Sequence, residues 1–295
     1  MFLRSSRRAF YSGVFEILAS CGVFEQTLAR STISDVDRLL FSSPTSLRMI
    51  QIKLDLEPER QAPYAAALAR LRDVEVTTGR GHALITTKVG ESSLPTLLDQ
   101  PEITPPELLS SLAGASIMPA HPWRFSPSIH PVEESRSSGQ LGEAGLLRVH
   151  HWLIANTAPE HIAFSQVDLA HWFFGAPPTH THGLSRANYL QVHLGFAKGG
   201  MALLDLATNR PGPDNYYSLH LIGSRGAAYS DDHRNAHLLF GEEGPRALIH
   251  QENQLLAMQT MLTEFLAGIR EERPWSVRLQ DTIDALATVK EAAHV

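Results

Sequence analysis

The chain has 295 residues, 43% of them hydrophobic and 19% charged, with a formal net charge of −6. That composition supports a sizeable buried core, and an acidic balance without basic runs excludes nucleic acid or an anionic membrane as the main partner. No window approaches the ~18 uninterrupted apolar residues of a spanning helix, and the single cysteine rules out an internal disulfide.

Near the start, "SRRAF" looks like a twin-arginine signal and "LASC" like a lipoprotein cleavage box. The apolar core between them is short and carries Glu16 in its middle, where a signal is uncharged. The stretch reads better as a strand, "GVFEIL", a turn, "ASCG", and a helix, "VFEQTLARSTISDVDRLL". The expected location is therefore the cytoplasm. The next strand is "LRMIQIKLD", ending at Asp55, followed by a helix in "LEPERQAPYAAALARL" with Pro58 at an early position and alanines behind it. Three short apolar or β-branched runs follow, "VEVTTG", "HALITT" and "LPTLLDQP".

Strands alternating with helices predict a parallel sheet, here a Rossmann-like N-terminal domain over residues 1–125. The stretch from His82 to Asp99 is too short for a complete strand–helix–strand unit, so one helix of that sheet is expected to be missing. Residues 126–295 read as an α/β domain with an open, mostly antiparallel sheet. "LQVHLGFAKGGMALLDLAT" gives two alternating runs joined by "KGG", a hairpin signal. Met261, Leu262, Phe265, Leu266 and Ile269 then fall at helical spacing, closing at "EERPW".

Histidine raises the question of metal. "THTH" puts His180 and His182 on one face of a strand, a geometry that accepts zinc with a third ligand. No carboxylate or cysteine stands at ligand spacing nearby, so no metal site is expected; His150 and His151 point to opposite faces and cannot chelate. A serine hydrolase has no G-x-S-x-G turn to start from.

Taken in order, these segments resemble the Gfo/Idh/MocA oxidoreductases, the family of glucose–fructose oxidoreductase and inositol dehydrogenase. "SCGVFE" stands in the place of their G-x-G-x-x-G turn, and "DLEPER" is similar to their second-strand exit. "DQPEITPPELLSSLAGASIMPAHPWRFSPSI" resembles the E-K-P strand end, its helix, and the strand leading to an R-F-x-P segment. "SSGQLGEAGLLRV" resembles the entry to the C-terminal sheet, "VDLAHWFFG" the D-x-x-x-W-x-x-G helix, and "YYSLHLIGSRGAAYSDD" a late hairpin. The resemblance covers nearly the whole chain. It implies NAD- or NADP-dependent oxidation or reduction of a sugar- or polyol-like hydroxyl, and a homo-oligomer formed through the exposed face of the C-terminal sheet.

The residues depart from that pattern. The resemblance assigns the cofactor to Ser20, Gly22, Asp55 and Pro101. Ser20, Gly22 and Glu25 occupy the three glycine places, so only the second glycine survives, and Glu25 sets a negative charge where phosphates should bind. Asp55 stands where an acidic residue accepts the adenine ribose, which favours NAD, although its spacing from Gly22 exceeds the usual ~20 residues; the alternative is a cap for the next helix. In the family a lysine of E-K-P, with an aspartate and a histidine four residues apart, holds the substrate hydroxyl and takes its proton. Gln100 falls at the lysine, His161 at the aspartate and Ser165 at the histidine, and none matches.

Gln100 and Ser165 cannot titrate near neutrality, which leaves His161 as a relocated base, with Arg124 placing an anionic substrate, or else as an ordinary loop histidine. Two functions follow. One is an oxidoreductase with a rearranged acid/base set and weak NAD(P) binding; the other is a non-catalytic relative, a scaffold or partner subunit that has lost the cofactor.

Overall fold

The computed structural model describes residues 49–293 apart from 91, 212–214, 232–235, 242–243 and 250–252. The expected strand "GVFEIL", its turn with Ser20, Cys21 and Gly22, and the helix carrying Glu25 lie outside the described residues.

The described chain opens on a parallel sheet. Strand β1 (Ile50–Asp55) is followed by helix α1 (Pro58–Leu68), then β2 (Val74–Thr77), β3 (Ala83–Thr86), β4 (Thr96–Leu98), helix α2 (Pro106–Ser111) and β5 (Ile117–Pro119). The order is β2-β1-β3-β4-β5, with every neighbouring pair parallel. The alternation in "IQIKLD" sets the faces: Ile50, Ile52 and Leu54 turn to the core, while Lys53 and Asp55 are exposed. As the short spacing implies, β3 and β4 are joined by residues 87–95 without a helix among the described residues.

The second sheet is built from β6 (Ala144–Trp152), β7 (His180–Arg186), β8 (Tyr189–Gly195), β9 (Met201–Ala207), β10 (Tyr216–Gly223) and β11 (Ala227–Asp231). Its order is β11-β10-β6-β9-β8-β7, antiparallel except where β6 meets β9. Helix α3 (His130–Ser137) precedes β6, and helix α4 (Glu160–Phe174) follows it. Strands β12 (Ala236–Gly241) and β13 (Gly244–Ile249) form a separate hairpin, and two helices close the chain, α5 (Asn253–Arg270) and α6 (Leu279–Ala293). Among the described residues no helix is long and apolar enough to cross a membrane.

Each sheet has its own core. Leu147, Val149, Val192, Leu204 and Leu219 of the second sheet pack against Val167, Ala170 and Phe173 of α4 and Ala285 of α6. Gly175 ends α4 at φ 73°, the left-handed cap that glycine adopts without a Cβ clash. In the first core, Ile52 and Ile85 meet Tyr64 and Leu68 of α1 together with Met261, Leu262, Phe265 and Leu266 of α5. The apolar stripe of α5 thus serves the parallel sheet, although nearly 200 residues separate the two in the chain. Gly268 lets Trp275 lie against α5, because a Cβ there would come within 2.2 Å of its indole nitrogen, which donates to the Phe265 carbonyl at 3.0 Å.

Candidate functional site

Parallel sheets place their loops, and hence their sites, at the carboxyl ends of the strands. In this protein the ends of β4 and β5 face β6 and α4 across a cavity of about 250 Å³. Gln100 and Glu102 enter it from the turn after β4, His121 and Trp123 from the turn after β5. His151 of β6 and His161, Ser165 and Asp168 of α4 form the opposite wall, with Arg60 of α1 and Asp99 completing it. Three expected site residues, Gln100, His161 and Ser165, therefore do converge.

Their local geometry differs. Gln100 sits at φ 49°, ψ 54°, a left-handed conformation that starts the 3-10 turn Pro101–Ile103, and Pro101 itself is buried in that turn. His161 and Ser165 are one turn apart on α4; His161 is exposed, whereas the Ser165 hydroxyl donates to the Ile162 carbonyl at 3.2 Å and accepts from Gln166 Nε2 at 3.1 Å. Gln166, fully buried, also lies 3.1 Å from His151 Nδ1 and accepts from the Tyr217 hydroxyl at 3.3 Å. Burial pushes His151 down to about 4, so its imidazole is neutral at pH 7. Burial also raises the Glu102 carboxyl.

Arg124 departs from expectation. Only 7% exposed, it donates to both oxygens of Asp168 and to Asp281 Oδ2 at 3.2 Å. Its guanidinium is committed to two carboxylates and does not line the cavity of Gln100, so it is not placed to hold an anionic substrate there. Asp168 is the hub of this cluster. Burial alone would raise its carboxyl, but His121, with Nδ1 2.9 Å from Oδ2, and Arg124 outweigh that and hold it at about 2. His121 Nδ1 lacks the alignment of a hydrogen bond to Asp168, and its Nε2 lies 2.8 Å from Thr282 Oγ1. His121, His151 and Arg60 were missed by sequence reading. The proline and tryptophan flanking His121 in "AHPW" after a short strand were the available signal.

The strand order also fixes where β1 sits among the described strands. Both neighbours of β1, namely β2 and β3, come later in the chain. Among the described strands, β1 lies at the point where the order reverses. Asp55 is the last residue of β1. It opens the β1–α1 turn itself, which reads Asp55-Leu56-Glu57-Pro58-Glu59.

That turn is a poor match for a pyrophosphate. It has no glycine to let the backbone approach, Pro58 at the helix start has no N–H to offer, and Asp55, Glu57 and Glu59 are all exposed carboxylates at a helix N-terminus. The next residue, Arg60, turns away to Asp99, with Nε–Oδ2 at 2.9 Å and Nη2–Oδ1 at 2.6 Å. Among the described residues, this turn does not offer the glycines and N–H donors that a dinucleotide's phosphates use. Among the described residues there is also no group of three or more histidine, cysteine or acidic side chains that could hold a metal.

No family model and no curated protein matches the chain. Solved structures do. Myo-inositol dehydrogenase from Corynebacterium glutamicum superposes with a TM-score of 0.66 at 15% identity, covering 83% of this chain and 96% of that one. Myo-inositol 2-dehydrogenase from Lactobacillus plantarum gives 0.68 at 12% identity, with 84% and 97% covered. Scyllo-inositol dehydrogenase from Lactobacillus casei, solved with NAD(H) and scyllo-inositol, gives 0.66 at 14% identity, with 84% and 96% covered. The chain therefore has the fold of the inositol dehydrogenases and related oxidoreductases of the Gfo/Idh/MocA type.

Proposed function

We propose that this protein is a non-catalytic relative of those oxidoreductases, a scaffold or partner subunit that keeps the fold and has lost dinucleotide chemistry. One observation carries the reading: the turn at the switch point of the parallel sheet holds three carboxylates and a proline where phosphates need glycines and N–H donors. The cavity beside it, about 250 Å³ and lined by polar groups among apolar ones, suits a small sugar- or polyol-like molecule, bound without hydride transfer. The exposed face of the second sheet is where copies pair. A cytoplasmic location accords with the single cysteine.

The active oxidoreductase is the second reading, favoured by the meeting of Gln100, His161 and Ser165 in one cavity. Calorimetry with NAD(H) and NADP(H) separates the two. The proposal expects no binding heat up to millimolar cofactor, and micromolar binding by the wild-type protein overturns it.

A further inference from the structure

A second cavity, of about 340 Å³, lies where the carboxyl end of α4 meets the start of α6, and it shares no lining residue with the cavity of Gln100. Two indoles form its apolar walls, Trp172 of α4 and Trp275 of the α5–α6 turn. Most of the charge around it is already paired. Arg124 serves Asp168 and Asp281, and Arg278 Nη2 reaches Asp281 Oδ1 at 3.1 Å. Asp284, which also lines the cavity, is left over: half-buried, it accepts from the Gln280 amide at 2.7 Å and pairs with no cation among the described residues. A carboxylate in such a place is costly to leave uncompensated.

His171 supplies a second open acceptor. It lines the cavity and is only 7% exposed. The Thr288 hydroxyl donates to the Asp284 carbonyl at 3.1 Å, so the 3.2 Å contact between Thr288 Oγ1 and His171 Nε2 is made by the imidazole N–H. Burial lowers His171 to about 4, so the ring is neutral at pH 7 and its Nδ1 carries a bare lone pair. That nitrogen has no hydrogen-bond partner among the described residues, yet it is not sealed in the core. The Thr288 side chain thus ties together the two residues whose acceptors face the cavity unmet.

We infer that this cavity is a binding site for a small organic amine, whose ammonium donates to the Asp284 carboxylate and to His171 Nδ1 while its apolar body lies on the indoles. An ammonium brings three donors and no acceptor, the complement of what the cavity leaves open. Indole faces attract cations through the ring quadrupole, and Trp172 already has the Arg124 guanidinium 5.7 Å from its ring centroid. An anion meets the unpaired Asp284 and finds Arg278 held by Asp281. A neutral polyol donates to both acceptors but leaves the carboxylate charge uncompensated. The site stands whether or not the Gln100 cavity binds a polyol, because the two are lined by different residues.

Calorimetry on the full chain with phenethylammonium, its neutral isostere 2-phenylethanol and the anion 3-phenylpropionate tests this, with Asp284→Asn as the variant that removes the charge and keeps the shape. The expected result is wild-type binding of phenethylammonium with Kd below about 1 mM, at least about tenfold tighter than 2-phenylethanol, as one hydrogen bond to a charged group allows, and no binding of 3-phenylpropionate. Asp284→Asn should weaken phenethylammonium about tenfold and leave 2-phenylethanol unchanged. In spectra of the wild type, phenethylammonium should move the indole N–H resonance of Trp172, assigned through Trp172→Phe, and not that of Trp123, which lines the cavity of Gln100. No binding of phenethylammonium up to about 10 mM, equal affinity for the alcohol, or full affinity in Asp284→Asn overturns the inference. A shift at Trp123 instead of Trp172 puts the amine in the other cavity and overturns it as well. Should Asp284→Asn not fold, the ligand comparison and the Trp172 shift decide on the wild type alone.

Discussion

Arg60 and Asp99 are joined by three hydrogen bonds of 2.6, 2.7 and 2.9 Å, tying the first turn of α1 to the end of β4. The Asp99 side chain is 3% exposed, and the Tyr64 hydroxyl donates to it at 2.9 Å. The pair spans the carboxyl end of β3, which lies between β1 and β4 in the sheet.

Removing one partner should show how much of the fold depends on the bridge. Arg60→Ala leaves a buried carboxylate with the tyrosine alone, and the arginine is 42% exposed, which moderates the loss. The expected cost is roughly 1–2 kcal/mol in urea unfolding. NAD(H) binding should remain absent in this variant, since the three carboxylates of the turn are untouched; calorimetry on the same sample checks it.

Rebuilding the turn is the complementary experiment. Asp55→Gly, Glu57→Gly and Glu59→Gln together remove three negative charges and restore backbone access at the start of α1. Measurable NAD(H) binding is expected in the triple variant by calorimetry. Turnover of polyols should stay undetectable, because Gln100 and Ser165 still stand in place of titrating groups. Loss of the favourable charge at the helix start should cost about 0.5 kcal/mol per carboxylate.

Acid should destabilise the protein in two stages. His151 and His171 are each lowered by burial from 6.5 to about 4, so between those values the unfolded chain binds protons that the folded one refuses. Their contribution is complete above pH 6.5 and is lost as the pH falls through 4. Asp168, depressed from 3.8 to about 2, contributes above pH 3.8 and loses that contribution as the pH falls toward 2. Urea midpoints measured from pH 7 to 3 should fall throughout, and His171→Gln should flatten the upper stage.

Phe265, fully buried on α5, tests the return of the C-terminal helix to the first sheet. Phe265→Ala should cost about 3–5 kcal/mol, as for other large-to-small core changes. Hydrogen exchange should quicken in β1 and β3, which share its core, more than in β8 and β9, which do not.

Local patterns made much of this protein readable beforehand. The alternation of Ile50, Ile52 and Leu54, the hairpin of β8 and β9, and the helical stripe from Met261 to Ile269 all rest on neighbours within a few residues, and periodicity reports such neighbours directly. The short gap between "HALITT" and "LPTLLD" forbade a crossover helix by length alone. Strand order is another matter. The alternation of "IQIKLD" fits any place in a sheet, and only pairing with β2 and β3 set it between them, with Asp55 at the head of the β1–α1 turn. Arg124 had the charge to bind an anion, but its two carboxylates stand 44 and 157 residues away. His121 reaches Thr282 across 161 residues. A side chain's charge and shape belong to the sequence, whereas its partners are decided when distant segments pack, and in this chain those partners determine which groups are left to meet a ligand.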